Sequence, residues 1–278
     1  MADAYTGARD YGAAAGGGGG DSWTSNEYEL DFAVHASYDI HAQGDGNVTV
    51  DSKTWIAGGM VSPDNTDDFQ IVNGTGLQMA PRTTTTINWT GTIKRCGIGA
   101  LISDLVSQFT DIRQTVDLQL LVKDDTWSTT KMGVLFGVEA NDSPMAESGG
   151  SGFGILSSYI GSAFEIELVR WQGGTSLADT SGVAPASHAH VLGLRVHKGE
   201  AVELYYSTDA DDYQTAFSGG SWASAKQGNV LVTMNNSPTN QTDWMTAANL
   251  GVVIGVRGNA NATVNALKLW VKVWNVLE

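Results

Sequence analysis

Residues 164–171 read Phe-Glu-Ile-Glu-Leu-Val-Arg-Trp, and their alternation decides the fold class. Successive side chains of an extended strand point to opposite faces, so Phe164, Ile166 and Leu168 line one face and Glu165 and Glu167 the other. One face is core and the other is solvated. The same period of two recurs near 28–41, 47–57, 67–72, 84–90, 114–123, 131–140, 153–159, 188–198, 200–207, 229–234, 250–257 and 262–276. Between these segments stand residues that tolerate tight turns, among them Gln43-Gly44-Asp45-Gly46-Asn47, Asn73-Gly74-Thr75-Gly76, Lys123-Asp124-Asp125, Gln172-Gly173-Gly174 and Arg257-Gly258-Asn259. Neighbouring strands should therefore pair antiparallel. The pair 191–196 and 201–206, separated by His197-Lys198-Gly199-Glu200, predicts a hairpin with a short glycine-containing loop. The sequence thus specifies an all-β, two-sheet antiparallel sandwich.

Two segments depart from this rhythm. In 98–109, Ile98, Leu101, Ile102, Leu105, Val106 and Phe109 fall at helical spacing, which predicts one short amphipathic helix over a sheet edge or an open end of the sandwich. Residues 1–26 form a glycine-rich arm ahead of a domain spanning 27–278, with Ala13 to Gly20 reading AAAGGGGG. Such a stretch has nothing to bury and a large backbone entropy to lose on ordering, so it is either a flexible linker or an extended arm that a host surface holds down. Tyr5, Arg9, Tyr11 and Trp23 are its candidate anchors, because aromatic and arginine side chains supply contact out of proportion to their number. The last strand, 267–274, alternates only in part, and should be covered on both faces or close against another chain.

Composition narrows the partners. A chain of 278 residues with a formal net charge of −15 repels a phosphate backbone, and no lysine or arginine cluster interrupts that field. Nucleic acid is excluded as a partner on this ground. Cys96 is the single cysteine, so no internal disulfide framework exists. The start MADAYTGARDYG lacks the basic and apolar regions of a secretory signal. No apolar run approaches the roughly 18 residues a spanning helix requires, and no basic amphipathic helix suggests lipid binding. These features predict assembly in a cytoplasm, without a membrane partner.

Some local signatures go further than pattern. Thr54-Trp55, then Asp68-Phe69-Gln70-Ile71-Val72-Asn73-Gly74-Thr75-Gly76-Leu77, the hairpin Arg195 to Tyr206 followed by Ser207-Thr208-Asp209, and the closing strands from Leu250 to Val276 together resemble the concanavalin A-like lectin/glucanase jelly roll. The resemblance is to the version found as modules in bacteriophage virion proteins, and it covers roughly residues 28–278. It implies a jelly-roll topology and a surface used for binding.

Candidate chemistry is sparse. Glycosidases on this fold use an acid-x-acid-x-acid series, and here Glu165 and Glu167 are followed by Val169 and Arg170, so the set is incomplete. His188 and His190 share a strand face with His197 at the following turn, but nothing completes a metal site, and the pattern reads as histidines on a polar face. His35 and His41 lie three strand steps apart, too far to share one ion easily. Asp64, Asp67 and Asp68, or Asp209, Asp211 and Asp212, could pool oxygens around calcium, yet neither loop has the ligand order of a calcium loop and both read as charged turns. Neither G-x-S-x-G nor G-x-x-x-x-G-K occurs. Trp127, Trp222 and Trp244 lie in polar, turn-rich surroundings, where an indole either packs structurally or forms a face that stacks on a sugar or a neighbouring subunit. Trp55, Trp171, Trp270 and Trp274 read as packing residues.

The sequence therefore predicts a non-enzymatic virion structural protein, with no catalytic residue, metal or cofactor assigned. Capsid decoration is its leading role, with the arm binding a major capsid protein or other virion proteins and the chain forming a homo-oligomer. The alternative is a glycan-binding module of a tail fibre or adhesin, read through Trp127, Trp222 and Trp244; a divergent glycosidase using Glu165 and Glu167 comes third.

Overall fold

The computed structural model describes residues 22–44, 46–58, 69–79, 96–106, 115–124, 132–140, 151–160, 163–172, 175–181, 189–197, 202–207, 209–214, 230–234, 250–258 and 264–277. In chain order the strands are Ser22–Asp31 (β1), Tyr38–Asp39 (β2), Gly46–Val50 (β3), Lys53–Gly58 (β4), Phe69–Val72 (β5), Gly76–Met79 (β6), Cys96–Leu101 (β7), Thr115–Asp124 (β8) and Met132–Ala140 (β9). They continue as Ser151–Ile160 (β10), Ala163–Gln172 (β11), Thr175–Ser181 (β12), Ala189–His197 (β13), Val202–Ser207 (β14), Val230–Met234 (β15), Leu250–Gly258 (β16) and Val264–Leu277 (β17). One short helix, Ile102–Leu105 (α1), follows β7 directly.

Two antiparallel sheets result. Sheet I runs β15-β14-β13-β8-β17-β6-β5-β2, with β1 also on β17; sheet II runs β12-β11-β10-β9-β16-β7-β4-β3. Period-two alternation builds the core between them. Val116, Leu118, Leu120 and Val122 of β8 and Leu269, Val271 and Val273 of β17 join Val134, Phe136 and Val138 of β9 and Val252 and Ile254 of β16 in one buried cluster. The architecture is the two-sheet antiparallel sandwich that the alternation predicts, of the jelly-roll type that the resemblance implies.

The strand at 163–172 and the hairpin of β13 with β14 form where the sequence places them, with Val191 opposite Ser207 and Val196 opposite Val202. Four readings change, and the segment 84–90 lies outside the described residues. The segment 28–41, read as one strand, divides into the end of β1, a 3-10 turn at Phe32–Val34 and the short β2. The helix predicted over 98–109 shrinks to Ile102–Leu105, because Cys96–Leu101 is an inner strand between β16 and β4. Its residues alternate Gly97-Ile98-Gly99-Ala100, with Ile98 and Ala100 in the core. Two glycines within a helix would each cost about 1 kcal/mol relative to alanine. The segment 47–57 is a hairpin turning at Asp51-Ser52, both with positive φ (53° and 59°), the backbone of a two-residue turn that matches strand twist. Finally, β1 starts at Ser22 and pairs with β17 through Asp31, so residues 22–26, read as part of the arm, belong to the sheet.

Gly76 is required by its surroundings. Its φ is +118°, and a Cβ there would lie 2.6 Å from the Ala266 carbonyl oxygen of β17. It sits where β6 and β1 meet end to end along one edge of β17, beside a register shift between Ala266 and Lys268.

Candidate functional site

Strand alternation that sends leucines and valines inward from β8 sends Asp117, Gln119, Leu121 and Lys123 to the outer face of sheet I. Register then fixes their neighbours. Asp117 is flanked by Arg195 of β13 and Lys272 of β17, Gln119 by Gly193 and Trp270, and Leu121 by Val191 and Lys268. Beyond β17, Glu27, Glu29 and Asp31 of β1 continue these rows. Cross-strand neighbours on one face interact directly, so a polar patch spans four strands.

Its centre is buried. Asp117 and Gln119 are 0% exposed and Arg195 3%. Arg195 donates to Asp117 through Nε, 2.5 Å from Oδ1, and through Nη2, 2.9 Å from Oδ2. This two-bond fork is among the stronger polar contacts a protein makes. The rim carries looser pairs: Lys268 Nζ lies 3.2 Å from Asp31 and 3.8 Å from Glu29, and Lys272 Nζ 3.8 Å from Glu27. Trp270 donates its indole N–H to Glu27 Oε2 over 3.3 Å, and Lys272 Nζ stands 5.6 Å from its ring centroid. Further along the face, Gln70 Nε2 donates to Gln78 Oε1 over 2.8 Å, and Asn265 is registered against Gln78.

A strap crosses this face after β14. Asp209–Gln214 contains a single 3-10 turn, Ala210–Asp212, capped by Asp209, whose side chain accepts from Asp211 N over 3.0 Å. Ser207 Oγ donates to Asp212 and accepts from Asp209 N. The strap lays Tyr213 on Leu121, Val191 and Trp270, and Gln214 N donates to Gln119 Oε1 over 2.5 Å. Burial, then the carboxylates of Glu29 and Asp31, push the Tyr213 phenol above the ordinary tyrosine range. Among the described residues, Tyr213 Oη and Gln119 Nε2 have no hydrogen-bond partner.

The residues singled out from sequence lie elsewhere. Trp23 is a β1 position opposite Val276. Tyr5, Arg9, Tyr11, Trp127, Trp222 and Trp244 lie outside the described residues, as do His188, Asp64, Asp67 and Asp68. Glu165 and Glu167 sit at alternate positions of β11 in sheet II, registered against Ser158 and Leu156, away from the polar patch. His190 is not on a polar face: it is 1% exposed, facing the interior, with Nε2 3.3 Å from Ser157 Oγ of sheet II. Burial lowers its pKa to about 4. Asp209, Asp211 and Asp212 serve the strap's own turn, and among the described residues no three His, Cys, Asp or Glu side chains converge to hold a metal ion. Trp55 is buried in the core, and Trp270 is 3% exposed on the outer face of sheet I. Sequence reading passed over Asp117, Gln119, Arg195 and Tyr213. Their signal is polar residues two apart inside an apolar strand, Val116-Asp117-Leu118-Gln119-Leu120, and one arginine in Val191-Leu192-Gly193-Leu194-Arg195-Val196.

No protein-family model matches the sequence, and no curated protein matches it significantly. Solved structures with a related outline include the CBM2 module of the evolved Dit of Lactobacillus casei BL23 phage J-1, at 10% identity and TM-score 0.48, over 92% of this chain and 99% of that one. An alginate lyase of Pseudomonas aeruginosa follows, at 12% identity and TM-score 0.46, over 74% and 85%. The GH43 protein BlXynB of Bacillus licheniformis gives 10% identity and TM-score 0.43, over 87% of this chain; the present chain spans 39% of its length. Likeness at this level assigns no function, and the fold stands on its own strand order and register.

Proposed function

We propose that the protein is a non-enzymatic binding module that recognises carbohydrate on the outer face of sheet I. One observation carries this reading: Gln119, 0% exposed, leaves its amide nitrogen without a hydrogen-bond partner among the described residues. A buried donor left unsatisfied costs about 1–3 kcal/mol, and a native protein that keeps one has a reason for it, such as a role in function. Gln119 and the neighbouring indole of Trp270 lie beneath Tyr213, so a sugar hydroxyl would accept such a bond, and the apolar side of its ring would rest on Trp270, only where that cover is displaced. Catalysis has less support. Both Asp117 oxygens are engaged by Arg195, and the rim carboxylates Glu27, Glu29 and Asp31 stand beside lysines. A hydrolytic pair needs one acid and one base facing each other across the scissile bond. Calorimetric titration with a panel of neutral and acidic oligosaccharides tests the proposal. Binding by the wild type that Gln119→Ala weakens about tenfold is the expected outcome; a panel with no binder removes it.

A second reading is favoured by the edge of the same sheet. Ten residues of β1 are paired with β17, so whatever precedes Ser22 leaves from a fixed point on the sandwich. A tethered arm gains effective concentration for a surface within its reach. In this reading the protein is a virion structural component, with capsid decoration its role, residues 1–21 its contact with a major capsid protein, and a homo-oligomer its form. Deleting residues 1–21 while keeping β1 should abolish co-sedimentation with particles; full occupancy without them would exclude this reading.

A further inference from the structure

We propose that the strap Asp209–Gln214 is a displaceable plug, and that Tyr213 occupies the place where the apolar face of an uncharged sugar ring binds once the strap lifts. The inference rests on the carbohydrate reading above and goes beyond it, because it makes the observed arrangement the closed one.

Three features set the closed strap against itself. The Tyr213 hydroxyl is buried beside Glu29 and Gln214 without a hydrogen bond of good geometry among the described residues. Gln214 has φ +64°, a left-handed backbone conformation that a residue with a Cβ adopts at a cost. Gln119 spends its carbonyl oxygen on Gln214 N and leaves its amide nitrogen unpaired. All three are relieved when the strap moves and a hydroxylated ligand enters. The contacts that hold the strap down include apolar contact of Tyr213 with the cluster of Leu121, Val191 and Trp270, the Gln214–Gln119 bond and the bond from Ser207 to Asp212. The strap is also organised from within. Asp212 N donates to Asp209 O over 3.2 Å, Tyr213 N to Ala210 O over 3.1 Å, and Asp211 N to the Asp209 side chain. A segment with its own turn can leave the sheet without unravelling.

The ligand class follows from the rim. Tyr213 lies beside Glu29 and Asp31, whose carboxylates accept hydroxyl hydrogen bonds and repel a carboxylated or sulfated sugar. An uncharged ring presents a C–H face to Trp270 and hydroxyls to Gln119 and the two acids. Tyr213 imitates that ligand with one ring and one hydroxyl.

The test compares the full-length wild type with Tyr213→Ala and Tyr213→Phe, by calorimetric titration with neutral and uronate oligosaccharides and by amide hydrogen exchange of residues 209–214. Removing the plug should tighten neutral-sugar binding about tenfold, since a competing closed state reduces apparent affinity by the fraction of open molecules. Tyr213→Phe deletes the unsatisfied hydroxyl and keeps the ring, so it should close the strap further, slow its exchange and weaken binding several-fold. In the wild type the strap amides should exchange faster than those of β8 and β13. Equal sugar affinity in all three proteins, or weaker binding by Tyr213→Ala, overturns the plug and leaves carbohydrate binding by the protein standing, at a place other than the covered Gln119 and Trp270. Strap amides as protected as those of β13 overturn the plug whatever binds. Absence of sugar binding by all three overturns the carbohydrate reading and this inference with it.

Discussion

Replacing Arg195 with methionine leaves the Asp117 carboxylate enclosed in sheet I without the fork that held both its oxygens, at 2.5 and 2.9 Å. Removing one partner of a buried pair typically costs about 3–5 kcal/mol. Here the lower end applies, because Lys272 stands in the adjoining register position and can turn from Glu27 towards Asp117. About 3 kcal/mol, with a urea dependence near 3 kcal/mol/M for a chain of this size, lowers the unfolding midpoint by roughly 1 M. Asp117→Leu strands the guanidinium instead and should cost a similar amount. The double variant Asp117→Leu/Arg195→Met removes both charges and should lie within about 1–2 kcal/mol of the wild type, since buried pairs often exchange for apolar residues at little loss. Urea titrations followed by far-ultraviolet circular dichroism and by tryptophan fluorescence measure all four proteins. The coupling should reach about 3 kcal/mol or more. Strictly additive single losses, or single losses below about 1 kcal/mol, would refute the reasoning and mean that the pair is effectively solvated.

Three further outcomes follow from other parts of the fold. His190, with a pKa near 4 when folded against about 6.5 unfolded, is neutral in the native state, so its contribution is full above pH 6.5 and fades as pH falls towards 4. The loss totals about 3 kcal/mol, and a His190→Leu/Ser157→Ala variant should show a flatter stability profile between pH 6.5 and 5; an unchanged slope would assign the dependence to other groups. Gly76→Ala should destabilise by at least about 2 kcal/mol, since its Cβ would meet the Ala266 carbonyl at 2.6 Å on a left-handed backbone; a melting temperature equal to wild type would contradict the close approach. Ser52→Gly, at φ 59° in the β3–β4 turn, should stabilise by about 1 kcal/mol, read as a rise in the urea midpoint, and a fall would show that the serine has a further role there.

The fold was legible wherever one chemical pattern sufficed. Glu165 and Glu167 between Phe164, Ile166 and Leu168 specify an alternating strand with no outside information, and the structure has a strand at Ala163–Gln172. Ile98 to Val106 misled because apolar residues at helical spacing also satisfy a strand when glycines fill the alternate positions, and pairing with β16 and β4 decided the matter. The candidate site was largely illegible. Arg195 and Asp117 are 78 residues apart, and Trp270 and Gln119 meet only through the register of β17 on β8. No local pattern encodes such a coincidence, and Tyr213 reaches it from a turn that reads simply as acidic.

The pairing of β1 with β17 also sets how the sandwich bears load. Ser22 lies opposite Leu277 and Asp31 opposite Lys268, so the two strands run in opposite directions over ten residue pairs. Pulling residues 22 and 277 apart opens the pair one hydrogen bond at a time, like a zip. Pulling residue 22 along the axis of β1 while the rest of the sandwich is held loads every inter-strand bond together, because those bonds lie across the direction of force. The same ten pairs are therefore a weak joint in one geometry and a strong one in the other.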